Sequence, residues 1–409
     1  GDGDVQEESK TLINAAVLGL IFEKINGYRE GAIFTPGYVT MYMARRVIEK
    51  TVLEAFQRLN PGWVLNDIDD LRNSIVDRSK ASILALNAVI DDLKICDPAV
   101  GSGHFLVSCL NALIALKSHL GILADAEGNS LSAYSAVVDN DELIVVNAAT
   151  DEVFNYQVHG GQVPQALQHV QRTLFHEKQK LIEHCLFGVD INANSVRICQ
   201  LRLWIELLKS AYYRDAAATQ LETLPNIDIN IKCGNSLLSR FKLDQNLSDA
   251  FKKAGLTVGQ YRELVNSYKS TKDKTVKREL QGKLSAAKTR FQEDALSRLT
   301  TKLNAEIDSL RAEEAQTDLF SLDADEQAQQ AKKLAVIREK MEELEAKREE
   351  LLRKKTFQSA LEWRFEFPEV LDENGTFVGF DIIIANPPYM RPCEPLLRIG
   401  GRAIEGRGE

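Results

Sequence analysis

The sequence lacks several features that would assign a protein to a class at once. No apolar run approaches the roughly 20 residues that a membrane-spanning helix needs, and the first residues, Gly1 to Asp4, are acidic, unlike the start of a signal peptide. The six cysteines form no Cys-x-x-Cys pair and the six histidines are scattered. We therefore expect no membrane segment, no disulfides and no bound metal, in a protein located in the cytoplasm.

Positive charge is also scarce, because 59 acidic residues outnumber 50 basic ones and the formal net charge is −9. No basic stretch interleaved with aromatic residues stands out as a nucleic-acid groove, and Lys-rich helical segments are usually solvated faces. The distribution of charge matters more for nucleic-acid binding than its sum, so this partner is not excluded. A hydrophobic content of 44% over 409 residues supports an α/β core with helical additions.

The most informative segment is an apolar stretch, Ile382 to Ala385, that leads into Asn386-Pro387-Pro388-Tyr389. The apolar residues predict a buried strand, which the two prolines prevent from continuing as helix or strand. Asn386 offers an amide oxygen, the Pro387 carbonyl offers a second acceptor, and Tyr389 offers an aromatic face. This set suits an exocyclic NH2 on a planar group, and an ordinary proline turn after a buried strand is the alternative.

Three further apolar segments end in polar residues, as strands of a nucleotide-binding α/β sheet do. One ends at Asp97 and continues into a glycine-containing loop, Pro98 to Gly103, that opens a helix. A second ends at Asp190, whose carboxylate can accept two ribose hydroxyls, and a third, Ile227 to Ile231, leads to Asn235. The loop lacks the full G-x-G-x-x-G spacing and begins with a carboxylate, so a cationic ligand fits better than a phosphate.

With these segments in this order, the chain resembles the N6-adenine DNA methyltransferases that use S-adenosyl-L-methionine, in particular type IIG restriction-modification enzymes and the related phage-exclusion methylases. The resemblance covers most of residues 30 to 390 and includes an aromatic-Thr-Pro element upstream of the glycine loop, which in that family helps hold the methionine end of the cofactor. It implies a Rossmann-like methyltransferase sheet and double-stranded DNA as the partner. The cofactor-site residues that it implies are Phe34, Thr35, Pro36, Asp97, Pro98, Ala99, Gly101, Gly103, Asp190, Ile191, Asn235, Ser236 and Leu237.

The same resemblance makes Asn386, Pro387, Pro388 and Tyr389 the catalytic motif. Two acceptors would hold the adenine amine in line with the methyl group, and stacking on the tyrosine would offset the cost of flipping the base out of the duplex. Two alternatives stay open: a protein-glutamine methyltransferase, which also uses Asn-Pro-Pro-Tyr, and a non-enzymatic fragment that keeps the cofactor fold. His104, just after the loop, is interpreted as a helix-start residue rather than a catalyst.

Two insertions interrupt the predicted sheet. Asp97 and Asp190 are 93 residues apart, where a plain βαβ unit has about 20, and Glu127 to Asn129 with the apolar run Leu143 to Val146 predicts a β-hairpin between them. Residues from about 241 to 356 lack proline and carry apolar residues at three- and four-residue steps, which predicts an antiparallel helical hairpin. The polar stretch Asp323 to Gln330 is the predicted turn between its helices.

The chain thus divides into five predicted segments. An N-terminal helical region at 1–92, with helices at Asn14 to Lys24 and Thr40 to Phe56, precedes the cofactor-binding half at 93–240, which has an insertion at about 121–165. The helical hairpin at 241–360, the catalytic strand and loop at 361–390, and a tail at 391–409 of natural or engineered origin follow. Because only 20 residues follow Tyr389, we expect the sheet to be incomplete and this chain alone to be inactive. A second chain or a missing C-terminal part would complete the sheet and the target recognition.

Overall fold

A computed structural model describes residues 35–139, 141–157, 163–215, 219–222, 230–238, 251–252, 255–271, 273–315, 324–352 and 361–387. They form a parallel β-sheet flanked by helices, a two-stranded hairpin and a pair of long helices. The predicted α/β fold is therefore confirmed. The predicted helix Asn14 to Lys24, Phe34, Pro388 and Tyr389 lie outside the described residues.

The described helices are α1 (Gly37–Leu59), α2 (Ile68–Ser74), α3 (Lys80–Asp91), α4 (His104–His119), α5 (Gln165–His184), α6 (Ala193–Leu208), α7 (Val258–Ser270), α8 (Lys274–Ala315), α9 (Ala324–Leu352) and the single turn α10 (Trp363–Glu366). The strands are β1 (Ile95–Asp97), β2 (Tyr134–Asp139), β3 (Glu142–Asn147), β4 (Leu186–Asp190), β5 (Ile231–Cys233) and β6 (Ile382–Ile383). Of the helices in these ranges, none combines the length and apolar character that crossing a membrane requires.

The main sheet has the strand order β5-β4-β1-β6, and each neighbouring pair is parallel. Ile95 of β1 pairs with Leu186 of β4 on one side and with Ile382 of β6 on the other. All three of these side chains are buried, which explains why the strands are continuous apolar runs in the sequence. Because the strands are parallel, their carboxyl ends lie at one edge of the sheet, where such folds bind ligands.

Helix α1 brings the Thr-Pro element to that edge. It follows Pro36, and its buried stripe, which includes Ala44, Ile48 and Val52, packs along α4, the helix that follows β1. The helix predicted at Thr40 to Phe56 is confirmed and lies within the longer α1. Since α4 is buried on nearly all sides, it fixes the position of α1 relative to the sheet.

The insertion between β1 and β4 contains the predicted β-hairpin. Strands β2 and β3 are antiparallel, with Asp139 opposite Glu142 at the tip. The segment Glu127 to Asn129 is not the turn of this hairpin. It belongs to a separate turn, closed by the Asp125 carboxylate, which accepts a hydrogen bond of 2.8 Å from the Asn129 N–H.

The long helices α8 and α9 form the predicted antiparallel pair. Arg311 pairs with Glu345 at 2.6 Å, and Arg338 pairs with Glu314 at 2.7 Å. The buried or half-buried side chains along the seam are Leu303, Ile307, Leu310, Leu334, Ile337, Met341 and Leu344. The prediction of a turn up to Gln330 is wrong, because residues 324–330 are the first turns of α9. The segment consists mainly of alanine, glutamate and glutamine, which are good helix formers. Its polar character therefore does not indicate a turn.

The base of this helical pair is fixed to the sheet through α7 and α10. The Tyr261 hydroxyl donates a hydrogen bond of 2.7 Å to the Phe365 carbonyl inside an apolar cluster. Glu366 accepts from Lys288 at 2.6 Å and lies 3.8 Å from Lys232 of β5. Burial lowers the pKa of Lys232 to about 8, an effect that the positive charge of Lys288 increases and Glu366 opposes.

Two strand predictions need correction. The third strand was expected at Ile227 to Ile231, whereas β5 runs from Ile231 to Cys233, and residues 227–229 lie outside the described part. The stretch Ile382 to Ala385 was expected to be buried throughout, but the side chain of Ile383 is 68% exposed. Successive side chains of a strand point to opposite faces, and only one face of β6 is covered by the residues described.

Candidate cofactor and catalytic site

Four polar residues meet at the carboxyl edge of the sheet. Asp97 ends β1, Asp190 ends β4, Asn235 follows β5, and Asn386 follows β6. Because β6 lies beside β1, Asn386 comes next to the glycine loop, and the other neighbour of β1 brings Asp190 to the opposite side of that loop. The predicted site residues that the structure describes on these four strands therefore lie along one edge.

The loop between β1 and α4 requires glycine at two positions for two reasons. Gly103 has φ of 84° and a Cβ there would lie 2.7 Å from the Cys199 Sγ, so both the backbone and the packing exclude a side chain. Gly101 also has a positive φ, of 52°, but a Cβ there would make only an ordinary contact, at 4.0 Å from the Ala99 carbonyl oxygen. The loop is tied to the sheet by the Val100 N–H, which donates to the Val189 carbonyl at 2.8 Å. The loop is thus held close to the end of β4.

The Asp190 carboxylate holds the two loops of the site together. One oxygen accepts a hydrogen bond of 2.9 Å from the Gly101 N–H, and the other accepts one of 2.7 Å from the Asn192 N–H. The sequence predicted a ribose-binding carboxylate here, but nothing in it indicated the bond to the glycine loop. The carboxylate is thereby fixed beside the Gly101 backbone.

Asp97 is 1% exposed, and its carboxylate accepts a hydrogen bond of 3.0 Å from the Ala99 N–H. Burial raises the pKa of Asp97 to about 7, the Ala99 bond opposes this rise, and the negative charge of Asp190 adds to it. A buried carboxylate in this state gains stability from a nearby cation. The site is therefore suited to a positively charged ligand, as the sequence predicted.

Asn386 contacts the Thr-Pro element directly. Its Nδ2 donates a hydrogen bond of 2.8 Å to the Thr35 Oγ1, although the two residues are 351 positions apart. With Nδ2 engaged, the amide is held in one orientation and its Oδ1 remains an acceptor. The structure thus joins the upstream element and the predicted catalytic motif, which the sequence analysis treated separately.

Asn235, Ser236 and Leu237 form a turn beyond β5. The Asn235 Oδ1 accepts a hydrogen bond of 2.9 Å from the Leu237 N–H, and the Ser236 carbonyl accepts one of 3.1 Å from the Trp363 indole. The side chains of Leu237 and Ile191 are 92% and 63% exposed. Exposed apolar side chains beside polar acceptors can cover the faces of a flat ring.

Sequence reasoning missed Arg202, a fully buried residue of α6 that supports the glycine loop from below. Its Nη1 donates to the Ser102 carbonyl at 3.1 Å, and its Nη2 lies 3.3 Å from the His104 Nδ1. Burial lowers the pKa of His104 to about 3, and the charge of Arg202 lowers it further. His104 is therefore neutral at ordinary pH. An arginine in a mixed helix gives no sequence signal of burial, so the sequence does not predict this support.

Within the described ranges, no group of three His, Cys, Asp or Glu side chains is arranged to hold a metal ion. Of the cysteines described, Cys96, Cys109, Cys185 and Cys199 are buried thiols, and Cys233 is exposed. Burial raises the pKa of the Cys96 thiol, with the charge of Asp97 adding to the effect. The buried thiols pack as small apolar side chains.

A parallel sheet with acidic residues at the ends of β1 and β4, and with Asn386-Pro387 after a strand beside β1, defines a fold of the S-adenosylmethionine-dependent methyltransferase type. Residues 184–394 match the Eco57I restriction-modification methylase family. Because the match covers more than half of this chain, the chain belongs to that family.

A relative from Methanocaldococcus jannaschii, provisionally named a type II restriction enzyme and methyltransferase, is 30% identical over 249 residues. The matched region is 58% of this chain but only 17% of that protein. The chain therefore spans a small part of the length of this curated relative.

Proposed function

We propose that the chain carries the cofactor site and the catalytic motif of a DNA methyltransferase that methylates adenine N6 in a restriction-modification or phage-defence system. The observation that carries the proposal is the Asn386 amide, which Thr35 orients beside the loop that follows Asp97. Membership of the Eco57I methylase family supports DNA as the substrate.

S-adenosyl-L-methionine fits the residues at this edge. The Gly101 backbone is uncrowded, the Asp97 and Asp190 carboxylates favour a cation and hydroxyl groups, and Asn235 with Leu237 offers a polar and an apolar contact for the adenine. When bound, the cofactor supplies a methyl group on a positively charged sulfur. In this proposal Thr35 and Pro36 border its methionine end, and Ile191, Pro98 and Ala99 complete the walls.

The catalytic motif acts by orientation and electrostatics. The Asn386 Oδ1 and the Pro387 carbonyl accept hydrogen bonds from the exocyclic amine and hold its lone pair toward the methyl group. Both acceptors stabilise the positive charge that develops on the nitrogen, so no general base is needed before the transfer. Pro388 and Tyr389 complete the motif, with the tyrosine stacking on the flipped base.

The test uses the intact protein, tritiated S-adenosyl-L-methionine, and two acceptors, namely mixed genomic DNA and a release-factor-type protein. We expect label in DNA, recovered as N6-methyladenine after digestion to nucleosides. Label in the protein alone would favour the glutamine methyltransferase. Label in cytosine would contradict the assignment to adenine.

Two variants test the roles of the residues in this assay. Asn386→Ala should reduce turnover on the order of 10²-fold with unchanged cofactor affinity, since it removes an acceptor that acts in the transition state. Thr35→Val keeps the shape of the side chain but removes the partner of the amide, and it should reduce turnover by a smaller factor. Full turnover in the Asn386 variant would exclude this residue from catalysis.

A further inference from the structure

The tip of the inserted hairpin reaches into the start of α1. Asp141 stands between β2 and β3 with φ of 69°, a left-handed conformation that is uncommon for residues other than glycine and is best tolerated by Asn and Asp. Its side chain is partly buried, and burial raises the pKa of its carboxyl group, while the bond from Ser108 and the charge of Arg202 oppose this rise. The turn of an exposed hairpin does not require its carboxylate to be shielded from water. The position of the Asp141 side chain therefore has a different cause.

Asp141 is held by two side chains of α4. The Ser108 Oγ donates to its carboxylate at 3.0 Å, and the Asn111 Nδ2 donates to its main-chain carbonyl at 3.1 Å. The same Ser108 Oγ lies 2.8 Å from the Thr40 Oγ1 of α1. The Thr40 hydroxyl also lies 3.0 Å from the Gly37 carbonyl, to which it can donate. The three side chains form one polar chain from α1 through α4 to the hairpin.

The first residue of α1 is shaped for this contact. A Cβ on Gly37 would lie 2.7 Å from the Asp141 Oδ2, so the helix can approach the carboxylate this closely only with glycine at that position. Negative charge is favourable at the amino end of a helix, where the backbone N–H groups lack partners within the helix. Packing, hydrogen bonding and charge therefore all favour the contact between Asp141 and the first turn of α1.

The first turn of α1 connects this contact to the catalytic motif. The Pro36 carbonyl accepts hydrogen bonds from the Val39 and Thr40 N–H groups, so Thr40 is part of the turn that begins directly after Thr35. Thr35 in turn accepts the bond from the Asn386 amide. A displacement of the first turn of α1 would therefore move the residue that orients Asn386.

We propose that Asp141 is a positioning residue, which holds the first turn of α1 against α4 and thereby sets Thr35 beside Asn386. The effect on α1 stands on the contacts alone, whereas the effect on cofactor binding rests on the proposed function. The inserted hairpin is then part of the site, although it follows the glycine loop by more than 30 residues.

The experiment compares three variants of the intact protein. Asp141→Gly removes the carboxylate and suits the positive φ, whereas Asp141→Asn keeps an acceptor oxygen and also suits that φ. The matched control is Asp151→Gly, because Asp151 is an exposed aspartate with a similar positive φ of 56° at the other end of β3. The control therefore reproduces the change in backbone and charge without the contacts.

The first measurement is amide hydrogen exchange in α1. We expect the Val39 and Thr40 amides to exchange about tenfold faster in Asp141→Gly, as the loss of a buried hydrogen-bonded group would produce. Amides in the middle of α1 should be unchanged, and Asp141→Asn should stay within about twofold of the wild type. Equal exchange in Asp141→Gly and Asp151→Gly, or an Asn variant as fast as the Gly variant, would overturn the proposal.

The second measurement is calorimetry with S-adenosyl-L-methionine. Asp141→Gly should weaken binding about tenfold and Asp141→Asn should restore most of it, while Asp151→Gly binds as the wild type does. If the wild type binds no cofactor, the proposed function fails, and the exchange data still decide the role of Asp141. If the cofactor binds equally to all variants, the influence of Asp141 on the site is refuted.

Discussion

Asp97 is the residue whose charge should couple the site to pH. Its pKa of about 7 in the folded protein exceeds the ordinary value of 3.8, so the folded state holds a proton more tightly than the unfolded state. The contribution of Asp97 to stability is therefore largest below about pH 4 and declines as the pH rises toward about 7. A cationic ligand has the opposite preference, because it binds best to the ionised carboxylate.

We therefore expect the affinity for S-adenosyl-L-methionine to increase about tenfold between pH 6 and pH 8, as the ionised fraction of Asp97 increases. Calorimetry in two buffers of different ionisation enthalpy should detect proton release on binding near pH 6. Asp97→Asn should lower the affinity and remove this part of the pH dependence. An unchanged pH dependence in that variant would show that another group titrates.

Asp190 is predicted to contribute both to stability and to cofactor binding. Asp190→Ala would leave the Gly101 and Asn192 N–H groups without their acceptor, and we expect stability to fall by roughly 1–3 kcal/mol, with a loss of cofactor affinity of similar size. Thermal unfolding measures the first effect and calorimetry the second. The exposed residue Glu127, outside the hairpin strands, supplies the control, since Glu127→Ala should change neither quantity. Unchanged cofactor affinity in Asp190→Ala would remove this residue from the site.

At the scale of elements, the glycine loop and α8 make opposite predictions for the same substitution. Gly103→Ala introduces a side chain at a positive φ and against Cys199. We therefore expect the free energy of unfolding to fall by at least about 1 kcal/mol and at most by several kcal/mol. Gly282→Ala, in the interior of α8 with no atom near its Cβ, should gain about 0.5–1 kcal/mol. Chemical denaturation of both variants measures the difference. Equal effects would contradict the strained geometry of the loop.

The sequence predicted elements whose signal is local. The strands that end at Asp97 and Asp190 are short apolar runs followed by turn residues, and the seam of α9 follows a regular spacing, so these were found at their observed places. At the start of α9 the polar character of the residues predicts a turn, whereas their helix propensity predicts a helix. The structure has the helix. Contacts such as Arg202 with Ser102 depend on the tertiary fold, and no local pattern encodes them.

At the scale of the whole molecule, the helical pair should be separable from the site. Asn304 and Arg348 face each other across α8 and α9, with 3.4 Å between the Asn304 Oδ1 and an Arg348 guanidinium nitrogen. A short Gly-Ser linker in place of residues 305–347 should therefore close without moving the base of the pair. We expect cofactor affinity within about twofold of the wild type, because α9 has its main contacts with α8 among the described elements.

Calorimetry on that deletion variant and thermal unfolding test the expectation. Tyr261→Phe is the matched change at the base of the pair, where it leaves the Phe365 carbonyl without its donor, and it should destabilise the protein by about 1–3 kcal/mol. A large loss of cofactor affinity on deletion would show that the distal helices support the site.

The position of β6 beside β1 also bears on the order in which the protein can be assembled during its synthesis. The main-chain bond from the Ile384 N–H to the Cys96 carbonyl closes a contact across nearly 290 residues. A ribosome that adds about 5–20 residues per second needs about 15–60 s to make that stretch. Throughout this interval one edge of β1 has no strand to pair with, and such an edge can pair with other chains. The nascent protein is therefore most prone to aggregation during the interval in which β1 has been synthesised and β6 has not.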